Sequence, residues 1–259
     1  MSCATMPSLP STRKPSRWSR SLSSGCTAGS GRKESGFKMV ASNCSSTSSP
    51  RPVVYVGVGS GPLRNRVTAA GHGQMVSRDA FRIPKCRWVF DNGAFTDWKN
   101  GQPFDEDKFF RRVERMMDLP DEQKPEWCVC PDRVAHPESL EYSVQWRDRM
   151  TNRLNWYLAI QDGMKPEAVE VALKEQPFAG LFIGGSSEWK NAQACEWVRF
   201  GHSQGLPVHV GRVNGWKRLQ WCVDIDADSV DGTGWTRDPR WIAYLEQMPT
   251  KSRMLFGQS

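Results

Sequence analysis

Hydrophobic residues in the body of this chain fall in short unbroken runs, each ending at glycine, proline, a carboxamide or a carboxylate. Val53-Val54-Tyr55-Val56-Gly57-Val58-Gly59 reads as a buried strand entering a glycine-rich turn. Trp88-Val89-Phe90-Asp91 is a second, broken by the acid, amide and glycine of Asp91-Asn92-Gly93 and followed by Ala94-Phe95. Trp127-Cys128-Val129-Cys130, Trp156-Tyr157-Leu158-Ala159-Ile160, Gly180-Leu181-Phe182-Ile183 and Pro207-Val208-His209-Val210 repeat the form, and Val223–Val230 is a last apolar and acidic stretch. Runs that do not alternate with polar residues belong to strands covered on both faces, the habit of parallel sheets.

Between the runs the period changes to that of a helix. Asp105 caps a segment whose Phe109, Val113, Met116 and Met117 recur at helical spacing. Pro137 opens a helix through about Arg153, and Pro166 opens another carrying Val169, Ala172 and Leu173. A helix of about Glu188–Ser203 stops near Gly205, and a short one covers Trp216–Trp221. Strands recurring every 25–35 residues or so with helices between them indicate parallel βα units. Seven strands are countable; the eighth is hidden in 62–80, lies near Met254-Leu255-Phe256, or is missing. The expected fold is an α/β, (βα)8 TIM-barrel-like domain over residues 51–259, with one irregular or missing strand, in preference to a doubly wound sheet. Gly57-Val58-Gly59-Ser60-Gly61 lacks the third spacing of a dinucleotide-binding loop and runs into Pro62, so no such cofactor is expected.

The barrel reading gives the strand ends a meaning, because the C-terminal rim of such a barrel is where active sites are built. Successive runs end in Asp91, in Pro131-Asp132, in Gln161-Asp162-Gly163, in Gly184-Gly185 and in Gly211-Arg212, and the last reaches Asp228 and Asp231. Several carboxylates, a carboxamide and paired glycines around one cavity suit a planar hydrogen-bonding ligand and carboxylate chemistry. Each residue also has a plainer role. Asp91 alone reads as a helix cap or turn former, Asp132 as a cap for the helix at Pro137, and Gln161 as a partner for loop backbone. His72, His136 and His202 read as structural, and His209, on a strand, is the histidine to follow.

Composition alters the picture mainly outside the body. The net charge of +7 invites a nucleic-acid reading, yet residues 1–52 hold eight of the 35 Lys and Arg and one of the 28 Asp and Glu, leaving 27 of each sign for the body. Residues 1–50 contain 15 serines without periodicity and are expected to be a disordered tail. A transit peptide, a nonspecific phosphate-binding arm, or a start really at Met39 would each fit it. The eight cysteines form no compact framework, so reduced thiols and a cytoplasmic location are expected (the host cytoplasm for a phage-encoded chain). Cys128 and Cys130 read as buried strand thiols. No run is long and apolar enough for a membrane span, so no membrane partner is expected.

The ordered series FDNGAF, CPDRVAHPE, LAIQDGM, LFIGG, VHVGR and DADSVDGT resembles the tRNA-guanine transglycosylase family, over roughly residues 53–240. Within it the chain is most similar to the phage and bacterial branch that places 7-deazaguanines in DNA. The resemblance implies a general acid/base at Asp91, with Asn92 and Ala94 where the family has Ser and Gly. It implies base recognition by Asp132 and Gln161, with Asp162 in place of a usual glycine, and backbone contact at Gly184 and Gly185. It implies a nucleophile at Asp228, with Asp224, Asp226 and Asp231 as rivals. The zinc motif of the tRNA enzymes does not follow Asp228, so no metal or other cofactor is expected and the substrate shifts from tRNA toward DNA.

The implied reaction replaces guanine in DNA with free preQ0 or a related 7-deazaguanine through a covalent glycosyl-aspartate, a modification that protects phage or host DNA from restriction. Retention requires an attacking carboxylate and a second carboxyl that moves protons. The target base must be flipped or single-stranded, and a helper protein that opens the duplex is a candidate partner. Arg212, Lys217 and Arg218 are candidate phosphate contacts, equally readable as a solvated basic face, and Trp235 is a candidate stacking partner. The alternatives are a tRNA enzyme of the same chemistry and an inactive barrel that binds nucleic acid or a base.

Overall fold

A computed structural model describes residues 51–57, 61–237 and 239–247. The serine-rich segment, the Val58-Gly59 end of the first strand and Met254-Leu255-Phe256 lie outside the described residues. Eight strands close into a barrel in chain order: β1 (Val53–Gly57), β2 (Gly73–Ser77), β3 (Trp88–Asp91), β4 (Cys128–Val129), β5 (Trp156–Ile160), β6 (Gly180–Ile183), β7 (Val208–Val210) and β8 (Ser229–Gly232). Every neighbouring pair is parallel, and β8 returns to β1 in the register Val53↔Ser229 through Val56↔Gly232. Eight helices surround it: α1 (Gly61–Ala69), α2 (Ala94–Lys99), α3 (Glu106–Met117), α4 (Ser139–Arg149), α5 (Pro166–Glu175), α6 (Ser187–Ser203), α7 (Trp216–Asp224) and α8 (Pro239–Glu246). The fold is the (βα)8 barrel that the strand–helix alternation predicts. Among the described residues no helix is long and apolar enough to cross a membrane.

The strand that the apolar pattern leaves unlocated is β2, within 62–80. Its sequence, Gly73-Gln74-Met75-Val76-Ser77, carries little hydrophobic signal because two of its positions serve packing by other means. Gly73 yields to the Tyr55 ring, which a Cβ there would meet at 2.6 Å. The Gln74 amide is buried and donates to the Cys86 thiol at 3.1 Å.

The C-terminal boundary differs from expectation. The helix expected to end at Trp221 continues to Asp224, because Leu219 and Cys222 bury one face at i, i+3 spacing. Asp226 then takes a left-handed φ of 62°, and the last strand starts at Ser229, not Val223. That shift decides which acidic residue reaches the rim.

Residues alternate between two cores, as strand geometry requires. One set faces the helices, where α3 contributes Phe109, Val113 and Met116 behind its Asp105 cap, whose side chain accepts from the Lys108 N–H at 2.9 Å. The other fills the barrel: Tyr55, Trp127 and Tyr157, with Trp127 stacked on Tyr157 at 4.3 Å between ring centroids. Tyr55 donates to Glu126, which also holds Arg87 through two bonds of 2.9 Å. Gly180 makes room for Tyr157 as Gly73 does for Tyr55. Cys128 and Cys130 are buried thiols whose pKa values burial pushes up.

Gly180→Ala drives a methyl into the Tyr157 ring and is expected to destabilise the barrel by about 1–3 kcal/mol, the usual range for overpacking. Urea unfolding checks this against Gly61→Ala, whose new Cβ meets nothing within 4 Å and which should cost no stability.

Candidate active site

At the C-terminal rim the aromatic filling stops and a cavity of about 400 Å³ opens above it. Asp91, Asp132, Gln161, Gly184, Gly185 and Arg212 all line it, so six of the residues singled out in the sequence converge. Asp228, Lys217 and Trp235 do not.

Asp91 ends β3, and its carboxylate Oδ1 accepts from the Gly93 N–H at 3.1 Å. Gly93 needs its φ of 82° to turn the chain, and a Cβ there would press on the Arg78 guanidinium at 2.9 Å. Arg78 is buried and braces this turn from behind. Its backbone N–H donates to the Asp91 carbonyl at 3.0 Å, and its guanidinium grips Asp97 of α2 through bonds of 2.6 and 2.7 Å. Burial raises the Asp91 pKa to about 6; the Gly93 N–H opposes this, while the neighbouring Asp231 and Asp132 charges add to it.

Asn92, at the position where the family resemblance has serine, is buried and does two jobs. Its Oδ1 accepts from the Ala94 N–H at 2.8 Å, opening α2, and its Nδ2 donates at 2.8 Å both to the Cys130 carbonyl and to Asp132 Oδ1. Gln161 Nε2 donates to the other oxygen, Asp132 Oδ2, at 2.7 Å, while Gln161 Oε1 accepts from the Gly185 N–H at 3.3 Å. Asp132 is therefore no helix cap; it is clamped edge-on between two amides. Burial raises its pKa, and the Asn92 and Gln161 bonds pull the other way. Each oxygen keeps acceptor capacity toward the cavity.

The glycine pair is packed for close approach. A Cβ on Gly184 would sit 3.0 Å from Gln161 Nε2, and Gly185, at φ 53°, would collide with Asp162 and Trp189. Asp162, standing where the resemblance expects glycine, uses its Oδ1 to accept from the Ser186 N–H at 2.6 Å. The departure thus supports the glycine loop with a side chain.

Asp231, the third residue of β8, is the acid of the DADSVDGT segment that faces the cavity. Its Oδ1 accepts from the Arg212 N–H at 3.0 Å and lies 3.1 Å from His209 Nε2. A carboxylate only accepts, so Nε2 carries the ring proton, and His209 Nδ1 accepts from the Ser229 hydroxyl at 2.9 Å. Burial lowers the His209 pKa and keeps the ring neutral, consistent with one N–H; the Asp231 bond works against that shift. Phe182 stacks on the imidazole at 4.9 Å and Trp127 meets it edge-on at 4.8 Å. With Oδ1 held twice, Oδ2 is the Asp231 oxygen presented to the cavity.

Asp228 lies three residues earlier, before β8 begins, and so at the opposite rim. Its Oδ2 accepts from the Val208 N–H and from His202 Nε2, both at 2.8 Å, and its backbone N–H and carbonyl bond Val208 and Val53. It stitches the starts of β7, β8 and β1, which replaces the nucleophilic assignment with a structural one. Trp235 is fully buried, donating from Nε1 to the Val213 carbonyl at 2.8 Å, so it has no face for a ligand. Lys217 is exposed on the first turn of α7, outside the cavity lining. Arg212 does reach the mouth: it donates to the Gly185 carbonyl and lies over the Phe95 ring.

The residues that sequence reasoning did not assign are Asn92 as an orienting group, Ser229 and His209 as support for Asp231, and the aromatic pair Phe95 and Trp98 at the mouth. Adjacency to Asp91 was the available signal for Asn92 and Phe95.

No family model matches this chain, and no curated protein does. Among solved structures it is similar to one described as "PaMucR Phosphodiesterase, c-di-GMP complex", at 13% identity and a TM-score of 0.36, over 66% of this chain and 64% of that one. It is also similar to a protein from Aquifex aeolicus VF5, at 12% identity and a TM-score of 0.41, over 76% of this chain and 91% of that one.

Asp91 binds its proton more tightly folded than unfolded, so it favours the folded state at low pH. That contribution is lost as pH rises from the unfolded value near 3.9 through about 6. Asp91→Asn keeps an acceptor for the Gly93 N–H and carries no charge. Its stability relative to the parent should be near equal at pH 4 and exceed it by roughly 2–3 kcal/mol by pH 7.5. Urea unfolding at several pH values measures this, and a pH-independent difference would rule it out.

Proposed function

We propose that this chain is a base-exchanging transglycosylase that removes guanine from DNA and installs a free 7-deazaguanine through a covalent glycosyl-aspartate. Four aspartates line the cavity, and the observation that carries the reading is that three of them, beside the Asp162 that supports the glycine loop, stand in three different environments: Asp132 clamped between amides, Asp91 raised to a pKa of about 6, and Asp231 held by one oxygen. Environments that push equivalent groups apart assign them different tasks.

Asp132 accepts the N1–H and exocyclic amine of a guanine-type edge together, and the amide and glycine groups around Gln161 and Gly184 face the remainder of the ring. Asp231 Oδ2 attacks the anomeric carbon as the C1′–N9 bond breaks, and its electrons pass into the departing base. Asp91, carrying a proton for part of the time near neutral pH, delivers it to that base. The resulting ester at Asp231 is the glycosyl-enzyme. Asp91, now a carboxylate, takes the N9 proton of the incoming base, which attacks C1′ and releases Asp231, giving net retention. The reading moves the nucleophile from Asp228 to Asp231 and leaves the rest of the implied set in place.

Supplying the expressed protein with a 7-deazaguanine and analysing host DNA and tRNA separately by nucleoside mass spectrometry tests the substrate. Modified nucleosides in DNA are expected; a signal confined to tRNA would shift the assignment to the tRNA enzyme, and none in either pool would favour an inactive base-binding barrel. Asp231→Asn should abolish a denaturation-stable enzyme–DNA adduct. Asp228→Asn should retain the adduct while losing about 1.5–3 kcal/mol of stability, the range for hydrogen bonds to a charged group.

A further inference from the structure

Recognition of one base accounts for the cavity but not for the surface beside its mouth. Two large aromatic side chains stand in solvent there, Phe95 at 39% and Trp98 at 51% exposure. They occupy i and i+3 on α2, with ring centroids 5.6 Å apart and planes tilted by 36°. The Arg212 guanidinium lies 4.9 Å from the Phe95 centroid, so a cation continues the same surface. Holding α2 in place does not require these rings, because the helix is anchored by buried Ala94 and by the grip of Arg78 on Asp97. Of the other large exposed hydrophobics among the described residues, Val171 stands on α5 and Tyr244 on α8 packs on the half-buried Trp216 ring, and neither lines the cavity. A paired aromatic surface bordering a cavity for a flat ligand calls for a ligand that continues past the cavity.

We infer that Trp98 is the stacking platform for the nucleotide adjacent to the target, so that the strand accepted here is single-stranded DNA running from the cavity across Phe95 and Trp98. The identity of the base inside the cavity rests on the base-exchange reading. The platform rests on exposed rings beside an exposed cation, the combination that single-strand binding uses: every base offers a π-face, and every step between bases carries a phosphate. A target base entering the cavity drags its phosphate across the mouth, where Arg212 stands. In an intact duplex the neighbouring base is already stacked and paired, so the platform selects an opened strand. A protein partner seated on the same rings would cover the mouth through which a polymeric substrate must enter.

The experiment compares two ligands on the full chain: free guanine by calorimetry, and a fluorescent single-stranded DNA with one guanine by anisotropy, intact or with an abasic residue beside that guanine. Trp98→Ala should weaken the intact oligonucleotide roughly 5- to 150-fold, the span of alanine substitutions at base–aromatic stacks. The loss should exceed any loss on free guanine, and Trp98→Phe should recover most of it. The abasic strand should bind the parent protein more weakly and be nearly indifferent to Trp98→Ala. Equal effects on the intact and abasic strands, or no effect on either, would overturn the platform. Failure to bind free guanine, with the Trp98 and abasic effects still coupled, would overturn the base-exchange reading and keep the platform. The same coupling on RNA alone would overturn the choice of DNA.

Discussion

Closure of the parallel ladder between β8 and β1 is the constraint from which the rest of this molecule follows. Once eight parallel strands close, every strand start lies on one rim and every strand end on the other, and alternate residues point into the barrel. The interior is then filled from below by Tyr55, Trp127 and Tyr157, with His209 and Phe182 above them. The cavity begins where that filling ends. Asp228 belongs to the closure: its hydrogen bonds join the starts of β7, β8 and β1, where an open seam would leave unpaired backbone.

Beside Asp162, whose carboxylate is tied to the Ser186 N–H, three further carboxylates line one cavity, and each is accommodated by a different device. Asp132 is clamped by the two amides of Asn92 and Gln161. Asp91 holds its proton to a pKa of about 6, through burial first and the neighbouring Asp231 and Asp132 charges after it. Asp231 is oriented by a backbone N–H and by the Nε2–H of His209, whose other ring nitrogen accepts from the Ser229 hydroxyl. Lys190 shows how costly buried charge is nearby: burial first, then the Arg212 and Arg218 charges, push its pKa down to about 7 against the pull of Asp231, while its ammonium donates to the Gly211 carbonyl.

Much of this was legible in the chain because parallel strands advertise themselves as unbroken apolar runs. The runs ending at Asp91, Asp132, Gln161 and Gly184 placed those residues at the rim. What the sequence hides is where one element stops and the next begins. Between Trp216 and Val230, helix and strand are both apolar and both acidic, so periodicity does not separate Cys222 on a helix from Val230 on a strand. Three residues of strand span roughly 10 Å, enough to carry the acid from one rim to the other. Asp228 and Asp231 therefore exchange structural and site positions on a boundary error of a few residues. β2 was hidden for a different reason: its packing is achieved by a glycine that yields space and by an amide bonded to a thiol. Trp235 was misread because a large aromatic near a site has no sequence mark that separates a stacking face from a buried one.

Asn92 and Asp162 act on the cavity in the same way, each as a side chain that fixes its neighbours. Asn92 reaches far enough to bond Asp132 while still bonding the Ala94 N–H in the turn into α2. Asp162, unlike glycine, bonds the Ser186 N–H and props the Gly184-Gly185 turn against β5. Both residues orient the cavity lining through side-chain hydrogen bonds. A site preorganised in this way loses little entropy when a flat ligand enters, so binding energy remains available for the reacting atoms. The one face left unpinned is the mouth, where Phe95 and Trp98 meet solvent. On the base-exchange reading proposed above, the pinned side chains inside would read the base and the exposed aromatic surface outside would hold the strand that carries it.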